Sequence, residues 1–298
     1  MREQRNIWVG AGALTAFLLC STAFGGAQSG QQAPQGGQSQ PAPQQQQPPP
    51  AGAEKDKQPN PAPLAMDNAP ASPEEESASK AVQQATDPNK KIQLAEEFLQ
   101  KYPQSRYRPT MYQALVSGYF ATQQVPKMLE AGEKEVEINP NDAPVLAVMA
   151  QALARTYNAK APDAAKQLDK AELYSKRAIE ITPTLPKPEN LSDEAFNNAK
   201  NDTLVMAHSG LGLVYIRRGK FSDAIPELEQ SVKADTHPDP DPVNYYLLGV
   251  ADKQTSHFEA AAAAFSKCAT VQSTLQAACK SSAEDAKKQG SSQLSAPN

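Results

Sequence analysis

The chain has 298 residues, with 29 Lys and Arg against 33 Asp and Glu, a formal net charge of −4. Without residues 1–27, which hold two basic residues and one acidic one, the balance is 27 basic to 32 acidic, or −5. That balance argues against a nucleic-acid binder, which needs a basic stripe to neutralise phosphates.

The first segment reads as an export signal. Arg2 and Arg5 open it, residues 7–24 are apolar or small, and Gly25-Gly26-Ala27 offers a cleavage site before Gln28. The expectation is an exported protein, periplasmic or secreted. The 18 residues of the apolar stretch are also just long enough to span a bilayer, so an uncleaved membrane anchor is the alternative. Lipid attachment at Cys20 is disfavoured, because Leu18-Leu19 stands where that chemistry favours small residues. Residues 28–72 are dominated by Gln, Pro, Ala, Gly and Ser, with no aromatic or β-branched residue. Such a segment cannot bury enough apolar surface to offset its ordering entropy. It is predicted to be a disordered, partly polyproline tether. The foldable part is then 73–289, with a disordered tail at 290–298.

Helical signals begin at once. Pro73-Glu74-Glu75-Glu76 is an acidic, proline-led helix start. Pro103, Pro140 and Pro183 each follow a helix-periodic run, and a proline just past a helix stops it. These marks divide the chain into helical hairpins at 73–103, 108–140, 143–183, about 205–235 and 242–271. The third is stretched by an insert around 158–168. The fourth is preceded by an extra stretch, 184–204, in which Ser192-Asp193-Glu194 looks like a capped helix start, so its first helix can begin near 192 and run long. A last helix, about 273–288, carries Leu275, Ala278 and Cys279 on one side. Ser282, Glu284, Asp285, Lys287 and Lys288 make its other side polar, as a capping helix requires.

The strongest signal is a repeat. Leu211, Gly212, Phe221 and Ala224 return 37 residues later as Leu248, Gly249, Phe258 and Ala261. A Leu-Gly pair followed by an aromatic and a small residue marks two helices packed as a hairpin, and one hairpin cannot bury its apolar face alone. The pattern resembles the tetratricopeptide repeat (TPR). That resemblance implies an all-α fold: a right-handed solenoid of about five hairpins plus a C-terminal capping helix. It also implies a concave inner wall built from first helices. Carried over position by position, the wall is Gln113, Ser117 and Phe120; Ala147, Gln151 and Arg155; Ser209, Leu213, Ile216 and Arg217; and Tyr246, Val250, Lys253 and Gln254. Such a wall suits a peptide or helix from a protein partner, anchored by apolar contacts and oriented by a few charges. The lysine-asparagine carboxylate clamp of some TPR proteins is not reproduced. The ending Phe98-Leu99-Gln100-Lys101-Tyr102-Pro103-Gln104-Ser105 is similar to helix endings of bacterial envelope-assembly and division-coordinating TPR proteins.

Reactive constellations are not apparent in the sequence. His208 is expected as a packed neutral core residue, His237 lies among alternating Asp and Pro, and His257 precedes Phe258 in a turn. None has a second ligand at metal spacing on a helix face. The acidic run at 235–241 reads as a stiff solvated connection. There is no phosphate loop, nucleophile elbow or Cys–His pair. The expectation is a non-catalytic interaction scaffold, with no cofactor and no metal; an enzyme on a helical scaffold and a plain structural spacer are the competing classes. Cys268 and Cys279 flank a turn near 271–273, so antiparallel helices bring them face to face. In an oxidising compartment they are expected to form a disulfide.

Overall fold

The computed structural model describes residues 71–294. The export signal, Cys20 and all but the last two residues of the predicted tether lie outside the described residues. Within them are eleven α-helices and no strand. They are α1 (Pro73–Gln84), α2 (Pro88–Lys101), α3 (Arg108–Ala121), α4 (Val125–Ile138), α5 (Ala143–Arg155), α6 (Ala164–Ile181), α7 (Asp193–Arg217), α8 (Phe221–Ala234), α9 (Pro242–Gln254), α10 (Phe258–Thr270) and α11 (Gln276–Leu294). Each odd-numbered helix through α9 pairs with the helix that follows, giving five hairpins, and α11 packs on α10.

Local chemistry sets the boundaries. Ser72, Asp87, Asp142, Ser192 and Asp241 cap α1, α2, α5, α7 and α9, each side chain accepting a backbone N–H of the first turn. Loss of such a cap costs about 1 kcal/mol. Proline occupies one of the first two positions of six helices, where no N–H is needed. The predicted stop prolines stand two residues beyond the ends of α2, α4 and α6, the last of them inside a 3-10 turn, Thr182–Thr184.

Three hairpin turns close in the same way. Gln123, Gly219 and Ser256 each take φ near +60° to +70° after the first helix of their hairpins. The next N–H reaches back five residues: Gln124 to the Tyr119 carbonyl, Lys220 to Tyr215, His257 to Asp252. This is the Schellman closure, which suits glycine. Gln123 and Ser256 hold it at a cost of about 1 kcal/mol each. Gly219 and Ser256 are themselves 37 apart, so the repeat extends into the turn.

In the repeated Leu-Gly pair, glycine does not mark a close approach of two backbones. A Cβ on Gly212 would sit 2.6 Å from Leu228 Cγ, and one on Gly249 would sit 2.8 Å from the Phe265 ring. The missing side chain makes room for a large residue of the partner helix, and Leu228 and Phe265 are again 37 apart. The true backbone approach is at Gly210. Its Cβ would lie 3.1 Å from the Gln151 backbone N and 3.3 Å from the Ala150 carbonyl carbon. α7 therefore lies directly against α5, whose Ala147, Ala150 and Ala154 are fully buried. The apolar core runs along all the hairpins from Val82 to Cys279.

α7 starts at Asp193, as the capped start at Ser192 indicates, and spans 25 residues. α11 reaches Leu294, beyond the predicted 288 and into the predicted tail. Its continuation follows from burial: Ala283 and Ala286 pack against Ala261, Ala262 and Phe265, and Gly290 lies close to Phe258. Cys268 and Cys279 are both fully buried and face each other with Cα atoms 5.8 Å apart, a separation that suits a disulfide.

Candidate functional site

The residues expected on the inner wall divide into two groups. The first forms ties from one first helix to a later one. Gln113 on α3 donates to Asp142, the cap of α5. Ser209 on α7 donates to Asn244 of α9 at 2.6 Å. Lys253 on α9 pairs with Asp285 of α11. Arg155 on α5 reaches Asp241, the cap of α9, at 3.2 Å, and both side chains are nearly buried. Ser209 and Leu213 are thus internal rather than wall residues, at 1% and 2% exposure, because that face of α7 packs on its neighbours. Ala147 is buried in the same way. Tyr246 and Val250 are also half-buried beneath α11, with the Tyr246 ring 5.6 Å from Phe265. Ser117 bonds its own helix at the Ala114 carbonyl.

The second group meets in a cleft. Phe120 from α3, Val125 and Met128 from α4, and Gln151, Ala152, Arg155 and Thr156 from α5 and its end line a small, partly open cleft of about 20 Å³. Phe120, Gln151 and Arg155 were expected on the wall; the α4 residues were not, since the wall was expected from first helices. Gly210 brings α7 against the backbone of α5, and a Cβ on Gly132 of α4 would meet the Met149 side chain of α5. The seam between α4 and α5 is left open at its Phe120 end.

Of the polar groups of this cleft, Thr156 donates to the Ala152 carbonyl and accepts from Gln167, whereas Gln151 and Arg155 are less completely paired. Gln151 is 6% exposed, and its side-chain amide has no hydrogen-bond partner among the described residues. Arg155 Nε is buried without a partner among them, its Asp241 contact being made through Nη2. Tyr157 follows Thr156 at the rim, and the Arg217 guanidinium lies over its ring at 5.9 Å. Arg217 Nε is likewise buried and unpartnered among the described residues. Burial lowers the Arg217 pKa from its ordinary value, with Tyr157 opposing the shift, so the site holds a cation at a desolvation cost. A buried donor left unmade costs about 1–3 kcal/mol.

At the other end of the same seam lies Glu135. It is fully buried on α4, and neither carboxyl oxygen has a hydrogen-bond partner among the described residues. Burial, then the nearby Asp142 carboxylate, push its pKa up to about 9, with Asn139 opposing. Glu135 is therefore protonated at neutral pH.

The histidines are tied to carboxylates. His208 Nδ1 lies 2.7 Å from Glu227, so it is a paired residue and not merely a packed one; His237 meets Asp202 at 2.7 Å and His257 faces Asp252 at 3.7 Å. Asp235 accepts the backbone N–H groups of His237 and Asp241, which folds the acidic run onto itself. Among the described residues no three metal-ligating side chains gather, and no helix is long and apolar enough to cross a membrane. The envelope-like ending is internal: Phe98 and Ser105 are buried, Phe98 stacks against Tyr102 and Tyr107, and Ser105 donates to Glu75.

No protein-family model matches the sequence, and no curated protein matches it. Among solved structures, a thermophilic TPR protein of Thermus thermophilus is similar at 18% identity and a TM-score of 0.44, covering 74% of this chain and 98% of that one. The repeated helical hairpins, with their shared turn closure and 37-residue spacing, fit a TPR protein.

Proposed function

We propose that the protein is an exported, non-catalytic scaffold that binds a segment of a partner protein in the cleft between α3, α4 and α5. Gln151 carries this reading: a glutamine whose residue as a whole is 6% exposed, lining an apolar cleft, with no hydrogen-bond partner for its amide among the described residues. A bound peptide backbone supplies both the donor and the acceptor that this amide lacks. The export assignment, to the periplasm or the outside, rests on residues 1–27; their retention as an anchor would place the same scaffold at the membrane surface. An envelope-assembly or division role rests on the short ending at Ser105 alone.

Photocrosslinking tests the cleft. A photoreactive residue at Thr156 of the full chain is expected to give a discrete adduct in the native envelope fraction, and one at Leu173, exposed on α6, is not. Equal labelling at both positions would place binding elsewhere. Export also implies a Cys268–Cys279 bond, which would pin α11, the last helix of the array, by roughly 3 kcal/mol. Non-reducing mass spectrometry of the exported protein is expected to find no free thiol at either position; two free thiols refute the bond.

A further inference from the structure

Three first helices are joined by one run of polar side chains. Arg155 ends α5, Ser209 lies within α7, and Asp241 and Asn244 stand at the start of α9. Arg155 Nη2 reaches Asp241 at 3.2 Å, and this pair passes over hairpin four altogether. Asn244 donates its backbone N–H to the Asp241 carbonyl and accepts the Ser209 hydroxyl through Oδ1. The two ties are therefore neighbours on α9. The packing around them is uneven. α5 lies along α7, with Gly210 against the Gln151 backbone, whereas α9 rests chiefly on α8 and meets α7 over a short stretch. Hairpins three and four thus form one block, and hairpin five is fastened across its inner side by two polar ties.

The fastening is shut but not fully satisfied. Ser209, Leu213 and Asn244 are buried, yet Arg155 Nε and Asn244 Nδ2 have no hydrogen-bond partner among the described residues. Each unmade donor weighs against the closed arrangement, and a nearly buried ion pair gains little net over two solvated charges. Burial of Leu213 favours closure, so the ion pair sets the balance. We infer that the Arg155–Asp241 pair is a latch. Intact, it holds hairpin five against hairpin three and keeps the inner wall of α7 covered. Released, it lets hairpin five turn on α8 and uncovers Ser209, Leu213 and Asn244, while both charges and both orphan donors gain water. The connection from α8 to α9 is short, and Asp235 accepts the Asp241 N–H, so the movement is a rotation of α9 on α8 rather than a separation.

Spin labels carried by unnatural residues at Leu173 of α6 and Lys267 of α10, both exposed, read the distance between hairpins three and five in the full chain. Asp241→Asn is expected to add a longer-distance population to that of the parent, because asparagine keeps the cap on α9 but offers Arg155 no charge. Arg155→Gln leaves the cap whole and is expected to do the same, which keeps the test valid should the first variant fold poorly. A second label pair, Leu173 with Gln230 of α8, is expected to stay unchanged. An unchanged Leu173–Lys267 distance in a folded variant would overturn the latch and make the pair a fixed brace. Lengthening of both label pairs would overturn it too, since the array would then be unravelling. No partner enters the measurement, so these outcomes are separate from the fate of the cleft.

Discussion

Glu135→Gln is expected to flatten the dependence of stability on pH and to stabilise the protein under mildly alkaline conditions. The sign follows from the direction of the shift. The folded chain keeps a proton on Glu135 up to about pH 9, whereas an unfolded chain releases it near the ordinary glutamate value. The folded state therefore binds more protons between these limits. Its advantage is fully present below the unfolded pKa and is lost as pH rises through the folded one. Two pH units inside this window correspond to about 2.7 kcal/mol for one proton. Denaturant melts at pH 6 and pH 8 are expected to show the variant gaining about 2–3 kcal/mol on the parent between the two. A constant gap would mean that Glu135 is ionised and solvated in the folded protein. Asp142 is the coupled group: it caps α5 and accepts Gln113, so Asp142→Asn is expected to reduce the pH dependence while costing part of the cap.

Arg155→Ala is expected to be the most destabilising single change among the wall residues, at about 3 kcal/mol. Its ion pair with Asp241 is 12% and 14% exposed and joins residues 86 apart in sequence, tying α5 to the start of α9. Removing the guanidinium leaves a nearly buried carboxylate with its cap bond alone, and it removes part of the cleft lining. Asp241→Ala loses the cap as well, so a double-mutant cycle separates the two roles. Additive effects in that cycle would show that the pair contributes nothing and that Arg155 acts only through packing.

The hairpins themselves were legible in the sequence. Stop prolines, capping residues and the 37-residue repeat place the five pairs, and Ser192 marks the long start of α7. What the sequence concealed was rotation about the helix axes. A frame drawn from Gly212 and Gly249 put Ser209 and Leu213 on the inner wall, but the same face of α7 is needed against α5 and α9. Gly210, two residues before the conspicuous Gly212, governs that packing, and nothing in the repeat singles it out because position 247 is a leucine. Glu135 was hidden for a related reason. In Glu133-Lys134-Glu135-Val136-Glu137 it reads as one of several solvated charges, although its spacing of four from Ala131 and seven from Met128 puts it on the buried face. The cleft arises where two hairpins part, and a spacing between hairpins is a tertiary quantity that no single-helix periodicity carries.

Entry of the partner into the seam between α4 and α5 is tested most directly by titrating a bound peptide against the full chain and its Ala152→Phe variant, with circular dichroism as the control for folding. Filling the cleft with a phenyl ring is expected to abolish binding while helical content stays unchanged. Unaltered affinity in a fully helical variant would contradict binding at this seam.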